Sequence, residues 1–188
     1  MRHAMNKSFP LLTLFNVRIT VTPLCVINYL ILIPPLAWLG LTLRNLTLVE
    51  GLIAGVLIIV LMFATENIHQ LGHAWAAKSV GYPMIGIRHF SWFSGSIYPK
   101  DEPPLPPQTH IKRALGGFWI NLLIGLALAP LAFYLWTLNG VAAYTMAAAS
   151  VWNFFVLGLG ALLPIDINGF TVDGGTILKY WCEMKRDN

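Results

Sequence analysis

Within a long apolar stretch of this 188-residue chain, His69-Gln70-Leu71-Gly72-His73 sets two imidazoles four residues apart. On a helix such positions share a face, so both rings can hold one metal ion. Glu66 lies one turn earlier. At about 100° per residue, His73 sits about 40° around from His69, and Glu66 about 60° around on the same side. Ionisable residues inside a membrane-length segment are costly and by default point to function. The plainer reading is that the histidines hydrogen-bond to neighbouring helices while Glu66 fills an internal polar contact. A pair at this spacing with an acid one turn away favours the metal. In the H-E-x-x-H pattern the residue after the first histidine is a glutamate acting as general base; here it is Gln70. The metal-binding half of the pattern is intact and the proton-transfer half is altered.

A catalytic zinc site takes three protein ligands and leaves a fourth position open. The candidate third ligand is Asp173, in Val172-Asp173-Gly174-Gly175, which follows Leu162-Leu163-Pro164. Pro164 and Gly169 are expected to end the helix before it. Taken alone, Asp173 could equally be the N-cap of a short helix from Gly174 to about Cys182. Its expected depth, on the same side of the membrane as His73, is what favours the ligand role.

The elements that must position these residues are helices crossing a bilayer. The chain is 56% hydrophobic and 11% charged, with mean hydropathy +0.65; soluble domains carry roughly 25% charged residues. This predicts an α-helical integral membrane protein, a single domain over residues 1–188. Four stretches are long enough to span at about 20 residues each. They are about Val21 to Leu43, Leu48 to Val80, Ala114 to Leu138, and Val141 to Leu163. Pro34-Pro35 predicts a kink or break in the first, and Asn139-Gly140 makes the last two an antiparallel hairpin. The opening residues do not resemble a cleaved signal peptide, so the first span is expected to be retained. Four crossings put eleven of the twelve Lys and Arg residues on one side, Arg2 among them, with Arg44 alone opposite. The positive-inside rule then puts both termini and the long middle loop in the cytoplasm, at the cell membrane. The basic residues are scattered rather than clustered, which speaks against nucleic acid as a partner. Cys25 and Cys182 lack ligand spacing and read as free thiols.

Outside the spans the pattern changes. Phe15 to Val21 alternates like a half-buried strand. An aromatic run between Pro83 and Pro99 is interrupted by Ser94-Gly95, which predicts a hairpin there. Asp101 to Gln108, with four prolines, predicts an extended surface loop. Together these predict a small β element covering the cytoplasmic mouth.

On these residues the chain resembles the site-2 protease family of intramembrane zinc metallopeptidases. The matching positions are His69, Leu71, Gly72, His73 and Ala74 in the first motif, then Leu162-Leu163-Pro164 and Asp173-Gly174-Gly175 in the second. Asn121, after Gly116-Gly117, and Asn153, ten residues before Leu163, stand where the family carries asparagines. The resemblance implies a three-helix core, zinc held by His69, His73 and Asp173, and hydrolysis of membrane-anchored protein substrates in or at the bilayer. By analogy Asn153 would donate a hydrogen bond to the substrate peptide. Two departures stand out: the eight residues between Pro164 and Asp173, a loop variation, and Gln70.

A carboxylate at position 70 would accept a proton from the attacking water and later deliver it to the leaving amine. A carboxamide of nearly the same size cannot accept it at neutral pH. Gln70 is then an engineered inactivating change, the mark of a natural pseudoprotease, or a loss covered by Glu66 as surrogate base. Glu66 starts about 6 Å deeper along the helix. The chain as written is expected to bind zinc with hydrolysis abolished or strongly impaired. The competing reading is a non-catalytic membrane scaffold that binds zinc and transmembrane partners; a metal-ion carrier is weaker. An unwound substrate needs backbone partners, so one edge of the Ile85 to Tyr98 hairpin is expected to clamp it beside the histidines. Alternatively Trp92, Phe93 and Tyr98 only anchor that loop at the lipid interface.

Overall fold

A computed structural model of the protein describes residues 7–167 and 170–186. Arg2 and Gly169 lie outside the described residues. The elements run β1 (Phe9–Leu14), β2 (Val17–Val21), α1 (Pro23–Arg44), α2 (Leu48–Ser79), β3 (Gly86–His89), β4 (Ser94–Ile97) and α3 (Pro107–Leu138). A fourth span and α5 (Asp173–Arg186) follow. The fourth span changes character along its length. It is α-helical as α4 (Val141–Val151), π-helical over Trp152–Leu159, and closes with a 3-10 turn over Gly160–Leu162. Between it and α5 lies a two-strand ribbon, β5 (Asp166–Ile167) with β6 (Phe170–Thr171). Among the described residues four helices, those expected, are long and apolar enough to cross a membrane.

Local chemistry fixes several of their ends. Thr22 caps α1 by accepting from Cys25 N, with Pro23 pre-set for the first turn. Thr47 and Glu50 form a reciprocal capping box at the start of α2. Of the kink or break expected at Pro34-Pro35, the break does not occur. Both rings lie on the exposed face of α1, and the helix continues through them. The helix bearing Asn121 starts at Pro107 rather than near Ala114, because Pro106-Pro107 supplies a ready helix entry and Pro107 and Gln108 leave the expected loop.

Neighbouring spans are antiparallel. α2 and α3 touch through glycines: a Cβ on Gly72 would lie 2.4 Å from Gly116 O, and one on Gly116 would lie 2.5 Å from Gly72 O. Without side chains at that crossing the backbones can meet, as membrane helices require for close packing. Arg44, at the end away from the sheet, donates to Trp136 O (2.7 Å) and lies 3.8 Å over the Trp136 ring. Tyr144 donates to Leu36 O (2.8 Å) and packs among Leu46, Ala54, Ile58 and Met62.

At the other end the four strands form one sheet in the order β1-β2-β3-β4, with β2 parallel to β3 and the other pairs antiparallel. Val17, Ile19, Met84 and Ile87 pack on Ala77, pinning the sheet to the last turns of α2. Two sequence expectations shift here. Phe15 and Asn16 belong to the β1–β2 turn, with φ of 50° and 67°, and the strand starts at Val17. Residues 90–93 make the second turn, so Ser94 and Gly95 lie within β4 rather than at a hairpin tip. The reason is tertiary: a strand placement points the Ser94 side chain at α2, where Glu66 accepts its hydroxyl.

Candidate metal centre

His69 and His73 are both buried on one face of α2, with their Nε2 atoms 3.1 Å apart. Asp173, the first residue of α5, brings Oδ2 to 3.3 Å from His69 Nε2 and Oδ1 to 3.3 Å from His73 Nε2. One ligand atom from each of the three residues falls within a 4.8 Å cluster. Asp173 thus opens a helix and also meets the histidines. Gly174 makes this possible: a Cβ there would lie 2.0 Å from Leu162 O, so only glycine lets α5 begin against the end of the fourth span.

The other ring nitrogens show how the donors are set. His69 Nδ1 faces Asn121 Oδ1 at 3.1 Å, and His73 Nδ1 faces the Arg113 carbonyl oxygen at 2.8 Å. Asn121 Nδ2 donates to Thr65 O and to Asn153 Oδ1, which fixes its own oxygen toward His69. Both Nδ1 atoms therefore carry the proton, and both Nε2 lone pairs converge bare on the Asp173 carboxylate. Its Oδ2 is buried without a hydrogen-bond donor. Converging lone pairs and an orphaned carboxylate oxygen are stable beside a cation and repulsive without one. This His2Asp donor set fits zinc.

Gly117 of α3 forms the floor of the site. A Cβ there would lie 2.4 Å from His73 Nε2 and 2.6 Å from His69 Nε2. The rings have their room because position 117 has no side chain.

Positions 66 and 70 turn toward β4. Ser94 Oγ donates to Glu66 Oε1, Ser96 Oγ donates to Gln70 Oε1 at 2.9 Å, and Gln70 Nε2 lies 3.5 Å from Ser94 O. Four residues of helix rise about 6 Å and two residues of strand about 6.6 Å, so the two rungs match in register. A cavity of about 790 Å³ opens beside the centre. Its wall includes Glu66, His69, Gln70, His73 and Asp173, the β4 residues Ser94, Gly95 and Ser96, and the apolar Trp92, Phe93, Trp152 and Phe155. Asn153 is not on that wall. It is fully buried, with Nδ2 donating to Ala149 O and Oδ1 accepting from Asn121. Its partners put it behind His69.

Sequence reasoning counted Arg113 only as a topological charge. It is buried, and its backbone carbonyl holds His73. A basic residue four positions before Gly117 was the available signal.

No family model matches the chain, and no curated protein matches it. Among solved structures, a Site-2 Protease from Methanocaldococcus jannaschii matches with TM-score 0.62 over 95% of this chain and 73% of that one, at 18% identity. The chain has the site-2 protease fold. At that identity the likeness is one of architecture. The residues of the centre stand on their own geometry.

Proposed function

We propose that this chain is an intramembrane zinc metallopeptidase of the site-2 protease family, acting on membrane-anchored protein substrates, with its hydrolytic step impaired by Gln70. The observation that carries this reading is the convergence of two bare Nε2 atoms and the Asp173 carboxylate at a cavity within that fold. His69, His73 and Asp173 would hold the zinc, which when bound polarises a peptide carbonyl and acidifies water. Asn121 and the Arg113 carbonyl keep the imidazole protons on Nδ1 and so keep Nε2 available. Asn153 orients Asn121, and the apolar cavity wall limits water around the scissile bond. The edge of β4 offers backbone groups to an unwound substrate. Ten of the described basic residues lie at the sheet end or in the elements leading to it, which supports a cytoplasmic sheet and cytoplasmic termini.

Gln70 cannot take up a proton, and its amide is occupied by Ser96 and Ser94. That occupation favours a second reading, a non-catalytic scaffold that binds zinc and transmembrane partners. Glu66 as surrogate base is the weaker role, because its carboxylate already accepts from Ser94.

Cleavage of a reconstituted transmembrane substrate by the parent and by Gln70→Glu separates the readings. A general base contributes about 10²–10⁴-fold, so Gln70→Glu should raise the rate by that order. Zinc bound to both proteins with cleavage by neither would overturn the protease reading and leave the scaffold.

A further inference from the structure

Arg113 is a buried charge in a membrane helix, and both terminal nitrogens of its guanidinium are bonded. Its guanidinium forms a two-pronged pair with Glu102 and donates to Tyr82 O at 2.6 Å. Its Cζ stands 4.0 Å from the centre of the Tyr98 ring and 5.8 Å from that of Tyr82. These partners come from different places. Tyr82 follows the end of α2, Tyr98 follows β4, and Glu102 belongs to the proline-rich loop before α3. The guanidinium holds the Glu102 carboxyl below its usual range, so the pair is charged at neutral pH. A buried guanidinium keeps its place only while such partners neutralise and bond it.

The backbone of the same residue does a different job. Its carbonyl oxygen accepts the His73 Nδ1 proton at 2.8 Å, which fixes both the tautomer and the ring plane of a metal ligand. One residue therefore joins the end of β4 to the metal centre, through the side chain on one side and the carbonyl on the other.

We propose that Arg113 is a positioning residue that holds His73 in ligand geometry and ties it to β4, so that strand docking and metal binding reinforce each other. This rests on the metallopeptidase reading above. The guanidinium bonds Glu102 and Tyr82 rather than the ligand residues; it fixes where the carbonyl stands. Because coupling between two sites is reciprocal, metal should steady β4 as much as a docked β4 steadies the metal.

The test uses the full chain in detergent or nanodiscs, with zinc affinity measured by chelator competition. Residues that orient a ligand typically affect affinity by 10- to 100-fold. Arg113→Met should weaken zinc binding by about that factor, and Arg113→Lys should recover part of it. Lys112→Met removes the neighbouring exposed charge and should change nothing. Zinc should also slow amide exchange in β4 of the parent, and Arg113→Met should erase that difference. Should Arg113→Met fail to fold, Tyr98→Leu and Glu102→Gln each remove one partner and should each weaken zinc binding several-fold. Parent-like affinity in folded Arg113→Met, or in both substitute variants, overturns the positioning role. Zinc-dependent β4 protection that persists without the guanidinium overturns the tie to the strand. A parent chain that binds no zinc would instead refute the metal reading on which this rests.

Discussion

Adding one methyl group at Gly117 should abolish high-affinity metal binding without removing a ligand and without unfolding the protein. The built Cβ lies 2.4 Å from His73 Nε2 and 2.6 Å from His69 Nε2, so the rings must retreat by about 1.0 and 0.8 Å to reach an ordinary 3.4 Å contact. Metal–ligand distances tolerate only about 0.2 Å. Retreat also pulls Nδ1 of each ring from Asn121 Oδ1 and the Arg113 carbonyl, undoing bonds whose loss costs about 1–3 kcal/mol each when buried. At least a 100-fold loss of zinc affinity follows, about 2.7 kcal/mol. The fold should survive, since the overlapping atoms are side-chain ends and alanine is favoured over glycine in helices by about 1 kcal/mol. Gly116→Ala is the counter-case. Its Cβ meets the Gly72 backbone oxygen at 2.5 Å, so α2 and α3 must part, and overpacking of this kind costs about 1–3 kcal/mol. The assay pairs chelator-competition affinity with thermal unfolding in detergent. Parent-like zinc affinity in Gly117→Ala would refute the geometry of the centre.

Further outcomes follow from the same contacts. Purified parent protein should carry about one zinc per chain. His73→Ala should lose most of it, and full occupancy in the double variant His69→Ala/His73→Ala would exclude this site. Glu66→Gln should leave cleavage by the Gln70→Glu variant nearly intact if Glu66 serves to dock β4. Loss of all residual cleavage from the parent chain on Glu66→Gln would instead make it the surrogate base. Proline at Ser94, Gly95 or Ser96 in the Gln70→Glu background should sharply reduce cleavage at one position at least, with zinc and fold retained. Cleavage that survives proline at all three would reduce β4 to a lipid-interface anchor.

Legibility followed the distance over which each feature is encoded. The four spans came from composition and length, because a bilayer demands about 20 apolar residues wherever a helix crosses it. The shared face of Glu66, His69 and His73 came from helical period alone. The strand Val17–Val21 was visible as alternation, whereas β1 was not, since Phe9–Leu14 is exposed along its whole length and carries no two-sided pattern.

What only the tertiary structure decided depends on segments meeting. Asp173 lies a hundred positions after His73, and nothing local in Asp-Gly-Gly separates a helix cap from a ligand. Where α5 closes against the fourth span, Asp173 opens the helix and its carboxylate stands 3.3 Å from both imidazoles. Ser94 and Gly95 read as a turn because a turn is their local preference; Glu66 on α2 draws the Ser94 side chain into a strand. Asn153 turned away from the cavity because Asn121 and the Ala149 carbonyl take up its amide. Arg113 read as one more positive charge until Tyr82, Tyr98 and Glu102 closed around it. Periodicity is a property of neighbours along the chain, so the sequence alone sets it. Which polar groups satisfy one another inside a membrane is settled only when helices and strands have packed, because each buried donor and acceptor must then find a partner among those the fold brings within reach.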